Sequence, residues 1–123
     1  MVENAAMSYV WSHYLAQGYE LEDVSKQNLG WDLEATSGTL KLRIEVKGLS
    51  SEAASIELTH NEYKAFIEKS LTYRLCIVTG ALTEPALSIC LINLASSEWE
   101  VETEDRYSTV KITERVAATI TLT

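Results

Sequence analysis

Apolar positions recur with helical spacing over the first seventeen residues. Ala5, Ala6, Tyr9, Val10 and His13 share one side, and Met7, Trp11, Tyr14 and Leu15 add a second stripe. The spacing predicts a helix over residues 2–17, buried over a wide face and stopped by Gly18. The period then shortens. Tyr19 to Val24 alternates like a short extended piece, and the loop Ser25-Lys26-Gln27-Asn28-Leu29-Gly30 carries a turn at its end. Two strands follow, Trp31 to Ala35 and Leu40 to Gly48, joined by a turn at Gly38. In the second, Leu40, Leu42, Ile44 and Val46 point one way, and Lys41, Arg43, Glu45 and Lys47 point the other. Periodicity leaves open whether that polar face meets plain solvent or lines a cleft.

After a polar loop, Ser55 to Leu58 is expected to form a short strand. Thr59-His60-Asn61-Glu62 then opens a second helix, running to about Ser70. Thr59 is a natural N-cap and Glu62 sits at the third helical position, which is the capping-box arrangement. Tyr63, Phe66, Ile67 and Leu71 supply that helix's apolar face. Tyr73 to Thr79 is apolar through its middle, as a central strand covered on both faces must be. Gly80 to Pro85 is a turn. Ala86 to Leu94 is a further strand, expected to pair antiparallel with the one before it. Ala95 to Asp105 is mixed and acidic and reads as a helical turn and a loop anchored by Trp99. From Val110 onward the apolar residues keep one parity, in one long bent strand or a register-preserving hairpin. The expected architecture is α/β (α+β), a mixed sheet of five to seven strands flanked by two helices.

Composition sets bounds on this picture. A chain of 123 residues, 46% hydrophobic, is one domain spanning 1–123, with enough apolar surface for a core of its own. It contains no apolar run long enough to cross a membrane, and its N-terminus lacks a secretory signal, so the expected location is cytoplasmic. Cys76 and Cys90 lie inside apolar runs and read as buried free thiols. The two histidines and two cysteines lack zinc-site spacing. His13 reads as a core or edge residue and His60 as exposed. No Gly-x-Ser-x-Gly and no glycine-rich phosphate loop occurs, which argues against serine hydrolase and nucleoside-triphosphate chemistry. Trp11, Trp31 and Trp99 read as core anchors. The net charge of −8 is awkward for a nucleic-acid binder, because phosphate contacts call for a basic patch. The run Glu98, Glu100, Glu102, Glu104, Asp105 reads as a solvated face from which DNA would be repelled.

The candidate chemistry lies in the hairpin. Asp32 near the start of its first strand, followed after twelve residues by Glu45-Val46-Lys47, is a spacing used by metal-dependent nucleases. Phosphodiester hydrolysis needs a nucleophilic water and a sink for negative charge, and a divalent cation can serve both. Mg²⁺ (or Mn²⁺) prefers oxygen ligands, usually with one or two carboxylates. Asp32 and Glu45 on neighbouring strands supply two, and the Val46 carbonyl can supply a third. Lys47 shares a face with Glu45, about 6.6 Å further along the strand, where its ammonium can orient water or stabilise charge. Gly48 lets the strand end approach a substrate backbone closely. Spacing alone equally allows a solvated hairpin face on which Glu45 and Lys47 form a surface ion pair worth well under about 1 kcal/mol.

A set of short motifs strengthens the chemical reading. Glu3-x-Ala5-Ala6-Met7, Gly18-Tyr19, Asp23-Val24-Ser25, Gly30-Trp31-Asp32-Leu33, Ile44-Glu45-Val46-Lys47-Gly48, Ile56-x-Leu58-Thr59-x-Asn61-Glu62 and Tyr73-Arg74-Leu75 follow one another in order. Together, from Glu3 to about Val78, they resemble the NO VEIN C-terminal-like domain family. That family is grouped with the PD-(D/E)XK nuclease superfamily beside Mrr-like restriction endonucleases. The resemblance implies a restriction-endonuclease-like mixed sheet flanked by helices. It also implies a Mg²⁺-dependent endonuclease acting on DNA, in restriction or defence. It assigns Asp32 and Glu45 to the metal, Lys47 to catalysis and Glu3, on the first helix, to the edge of the site as auxiliary ligand or base. Asn61-Glu62 also recurs in the family, although the capping box already accounts for Glu62. The chain departs from some relatives in lacking a helical Gln-x-x-x-Tyr after the core and an attached basic DNA-binding domain. Specificity is then expected from a partner protein or domain, and two-strand cleavage from a homodimer. The alternative is a non-catalytic module of the same fold, used for protein interaction, dimerisation or sensing.

Overall fold

The computed structural model describes residues 1–50, 56–93, 95–102 and 107–109, the last three through their backbone. Helix α1 spans Val2–Ala16 and is followed by strand β1 (Glu20–Asp23) and a 3₁₀ turn at Ser25–Gln27. Strands β2 (Leu33–Ser37) and β3 (Leu40–Gly48) form the hairpin. Helix α2 (His60–Glu68) then leads into β4 (Tyr73–Thr79), β5 (Ala86–Asn93), β6 (Glu98–Glu102) and β7 (Tyr107–Thr109). The strands lie side by side in chain order in one seven-stranded sheet. Every pairing is antiparallel except β3 with β4, where α2 makes the crossover that a parallel pair requires. The mixed sheet with two helices is the α+β architecture the pattern implied.

Each helix covers one face of the sheet. Ala6, Val10 and Tyr14 of α1 meet Leu33, Ala35, Leu42, Ile44, Cys76 and Val78 in one buried cluster. On the other face, Ala65 and Phe66 of α2 meet Tyr73, Leu75, Cys90 and Trp99. Strand β4 therefore sends Cys76 and Val78 to α1 and Tyr73 and Leu75 to α2, and so it is apolar on both sides. Trp99 does act as an anchor, its ring stacked on Phe66 with centroids 3.7 Å apart. Both cysteines are free and buried. His60 is exposed, and His13 sits at the edge of α1 with Gln17 Nε2 3.1 Å from its Nε2.

Four local expectations need correction. Residues 95–97 form a turn, but Glu98–Glu102 is strand β6, with Trp99 and Val101 packed inward and Asn93 Nδ2 donating to Glu100 Oε1. The acidic alternation there is the outer face of a strand. Ile56 to Leu58 pairs with no strand among the described residues; both apolar side chains pack against the α2-side cluster as the chain runs into the cap of α2. Leu15 and Ile67 are exposed, because a helix resting on one sheet face buries a narrower stripe than their spacing implied, and Leu71 is exposed because α2 ends at Glu68 and leaves it in the following turn. Gly48 does approach a neighbour closely, but the neighbour is α1: a Cβ there would stand 2.7 Å from the Ala6 Cβ. The strand expected from Val110 onward lies outside the described residues, as do Ser55, Leu94 and residues 103–105. Among the described residues no helix is long and apolar enough to cross a membrane.

Candidate active site

Beyond the exposed Lys41, the polar side of β3 is not a solvated face, because α2 packs over this side of the sheet. Glu45 is only 3% exposed. Further back on the same side, Arg43 lies under the Trp31 ring, 5.4 Å from its centroid, and its Nη1 donates to Thr72 Oγ1. Asp32 precedes β2 and is held by its backbone on two sides. Its N–H donates to the Ile44 carbonyl at 2.8 Å, and its own carbonyl accepts from Val24 at 2.9 Å. Its carboxylate then turns to β3, where Oδ2 accepts the Val46 N–H at 2.9 Å. In an extended strand the carbonyl leaves on the same side as the N–H of its own residue, so the Val46 oxygen is on the edge of β3 that Asp32 faces.

Four side chains meet at this point. The Glu45 carboxyl lies close enough to those of Asp32 and Glu62 for each to influence its ionisation. Lys47 Nζ is 3.4 Å from Glu45 Oε2 and donates to Glu62 Oε1 at 2.8 Å. Glu62 Oε1 also accepts the Thr59 N–H at 2.9 Å, while the Glu62 N–H donates back to Thr59 Oγ1, which completes the capping box. Sequence reasoning assigned Asp32, Glu45 and Lys47 to one site, and the fold brings them together. It left Glu62 to the helix cap, and that oxygen serves the cap and the lysine at once. Glu3 is exposed in the first turn of α1, on the opposite face of the sheet from Glu45, and takes part in none of these contacts.

Three carboxyl groups share one ammonium, so the cluster is short of positive charge. Burial, the hydrogen bond to Glu62 and the nearby Asp32 charge push Glu45 up to about 9. Burial also raises Asp32, against the opposing pull of the Val46 N–H and the Glu45 hydrogen bond. Burial would raise Glu62 too, but hydrogen bonds from Glu45, Lys47 and the Thr59 N–H hold it below the usual carboxylate range. Burial works to lower Lys47, and its carboxylate neighbours outweigh that and raise it. At neutral pH the picture is a protonated Glu45 donating to its neighbours, with Glu62 and Lys47 as the ion pair.

Among the described residues no three His, Cys, Asp or Glu side chains are arranged to hold a metal ion between them. A magnesium-type ion does not need three, since two carboxylates and a carbonyl, with water, suffice. Asp32, Glu45 and the Val46 carbonyl would be the candidates for such a set, and the charge deficit at Glu45 is the kind a dication relieves. By type, these oxygen donors suit a magnesium-class ion.

Fold and site together define an α+β domain with a buried carboxylate–lysine cluster between the parallel strand pair and its crossover helix. The family model described as Protein NO VEIN, C-terminal matches residues 2–91, from α1 through most of β5. The chain belongs to that family. No curated protein and no solved structure matches it.

Proposed function

We propose that this domain is a Mg²⁺- or Mn²⁺-dependent endonuclease of the PD-(D/E)XK type that hydrolyses DNA phosphodiester bonds. The observation that carries the proposal is the meeting of Asp32, Glu45 and Lys47 at the end of the hairpin, Asp32 bonded to the Val46 N–H and Lys47 beside Glu45. Asp32, Glu45 and the Val46 carbonyl would hold the cation, which would supply an acidified water and a counter-charge for the phosphate oxygens. Asp32 is set for this by its two backbone bonds, which fix the carboxylate without a flexible loop. Glu45 must give up its proton to serve as a ligand, so occupancy of the site is coupled to release of that proton. Lys47 contributes an ammonium that can orient the attacking water or offset charge on the phosphorane. Glu3, on the helix whose first turn packs against the strand end at Gly48, would have the auxiliary part of ligand or base.

The net charge of −8 means that affinity for DNA must come from elsewhere. A partner protein or domain, or a homodimer, would supply it, in a cytoplasmic restriction or defence setting. The same charge favours a second reading, a non-catalytic interaction, dimerisation or sensor module. The assay that separates them uses supercoiled plasmid and Mn²⁺ at low salt. Wild type is expected to nick or linearise it, and Lys47→Ala and Glu45→Ala to be at least about 100-fold slower, the usual cost of removing a charge-stabilising group. Equal inertness of wild type and Glu45→Ala across metals and salt would remove the enzymatic reading. Cleavage that persists in Glu45→Ala would place the activity elsewhere.

A further inference from the structure

We infer that Glu62 is a positioning residue, which holds the Lys47 ammonium at the Asp32–Glu45 pair from the first turn of α2. The catalytic consequence rests on the nuclease reading; the positioning itself does not.

A single oxygen does two jobs. Glu62 Oε1 accepts from the Thr59 N–H at 2.9 Å and from Lys47 Nζ at 2.8 Å. The capping box fixes that oxygen relative to the helix, so the ammonium is fixed to the helix as well. A cap by itself needs no lysine, and a glutamine at this position also completes the capping box. The hydrogen bond of the cap does not require the charge, which also complements Lys47 at 2.8 Å. Lys47 lies closer to Glu62 than to Glu45, at 2.8 Å against 3.4 Å. Without Glu62 the ammonium would be left to pair with Glu45, the carboxyl wanted for a cation. The neighbouring residue extends the same hold to the other strand. Asn61 Nδ2 donates to the Asn28 carbonyl at 2.9 Å, in the loop that delivers Asp32. One helical turn thus fixes both halves of the site.

The test is a Glu62→Gln variant of the full chain. In wild type, a ¹H–¹⁵N spectrum tuned to lysine ammonium groups should show a resolved Lys47 Nζ signal, identified by its loss in Lys47→Met. In Glu62→Gln that signal should broaden away while the helical circular dichroism and the backbone amide at position 62 persist. In the plasmid assay, kcat should fall about tenfold or more with KM for DNA unchanged, as for a misplaced group. Retention of the Lys47 signal in Glu62→Gln would overturn the inference. Thr59→Ala guards against mere loosening of α2: it weakens the cap but keeps the Glu62 charge and the Thr59 N–H. It should keep the signal, and its loss there would also overturn the inference. If wild type cleaves nothing, the nuclease reading fails, and the ammonium signal still decides the role of Glu62.

Discussion

Glu45→Gln is expected to stabilise the metal-free protein at pH 8 and to abolish both its response to Mn²⁺ and any cleavage. The carboxyl is almost fully buried, and its folded-state pKa stands near 9 against an ordinary 4.5. An acid raised in the folded state binds more protons folded than unfolded between those values. Unfolding therefore becomes easier as pH rises from about 4.5 to about 9, where the loss is complete. The neighbours do not reverse the sign in this window. Asp32 is raised as well and adds to the trend just above its ordinary value. Lys47 is raised, so its contribution is lost only above its own ordinary range. Glu62 is lowered, so its contribution is in place above about 4.5 and lost only on acidification. Glutamine mimics the protonated acid, with an N–H to offer Glu62 and Asp32, and has no proton to lose. In urea titrations the two proteins should be nearly equal at pH 5. By pH 8 the variant should lead by about 2 kcal/mol or more, each pKa unit being worth about 1.4 kcal/mol. Mn²⁺ should raise the melting temperature of wild type at pH 8 and leave the variant unmoved. A variant less stable than wild type at pH 8 would mean that Glu45 is ionised in the fold.

The same residues show what a sequence can reveal and what it hides. The alternation in β3 assigned every side chain between Leu42 and Lys47 to a face, because a strand's period depends only on local backbone geometry. It could not say what lay over the polar face. That depends on where α2 docks, which is set by Gly30 against Asn61 and Ala65, about thirty residues apart in the chain. The capping box was legible because its partners are three residues apart. For that same reason it concealed the second partner of Glu62, fifteen residues earlier in the chain. In β6 the signal was present: Trp99 and Val101 alternate with three glutamates, but acidity outweighed period in the reading. In the helices the opposite happened, and spacing promised burial to Leu15 and Ile67 that a single sheet face could not provide, and to Leu71 that the end of α2 at Glu68 withheld. Glu3 matches the family motif in type, yet its place on the far side of the sheet is a property of the packing alone.

The docking of α2 can be tested apart from any activity, by comparing alanine at Gly30 with alanine at Gly18. Both glycines have left-handed backbones, with φ of +98° and +90°, so both substitutions force an L residue into a region it rarely adopts. At Gly18 a Cβ would meet nothing within 4 Å. Gly18→Ala should therefore cost the backbone term alone, about 1 kcal/mol. At Gly30 a Cβ would stand 2.7 Å from the Asn61 carbonyl oxygen and 2.9 Å from the Ala65 Cβ. The first contact is with backbone, so no side-chain rotation relieves it, and α2 must move or the loop must. The Gly30 carbonyl is further pinned by the buried Tyr73 hydroxyl at 2.9 Å. Gly30→Ala should thus cost about 2 kcal/mol more than Gly18→Ala in urea titrations, within the range for overpacking a rigid contact. If α2 yields, Asn61 leaves the loop that carries Asp32, and Glu62 moves away from Lys47. The variant should then lose the Lys47 ammonium signal while still folded, and Gly18→Ala should keep it. Equal costs at the two glycines would mean that α2 is not held against Gly30, and the coupling of that helix to the site would fall with it.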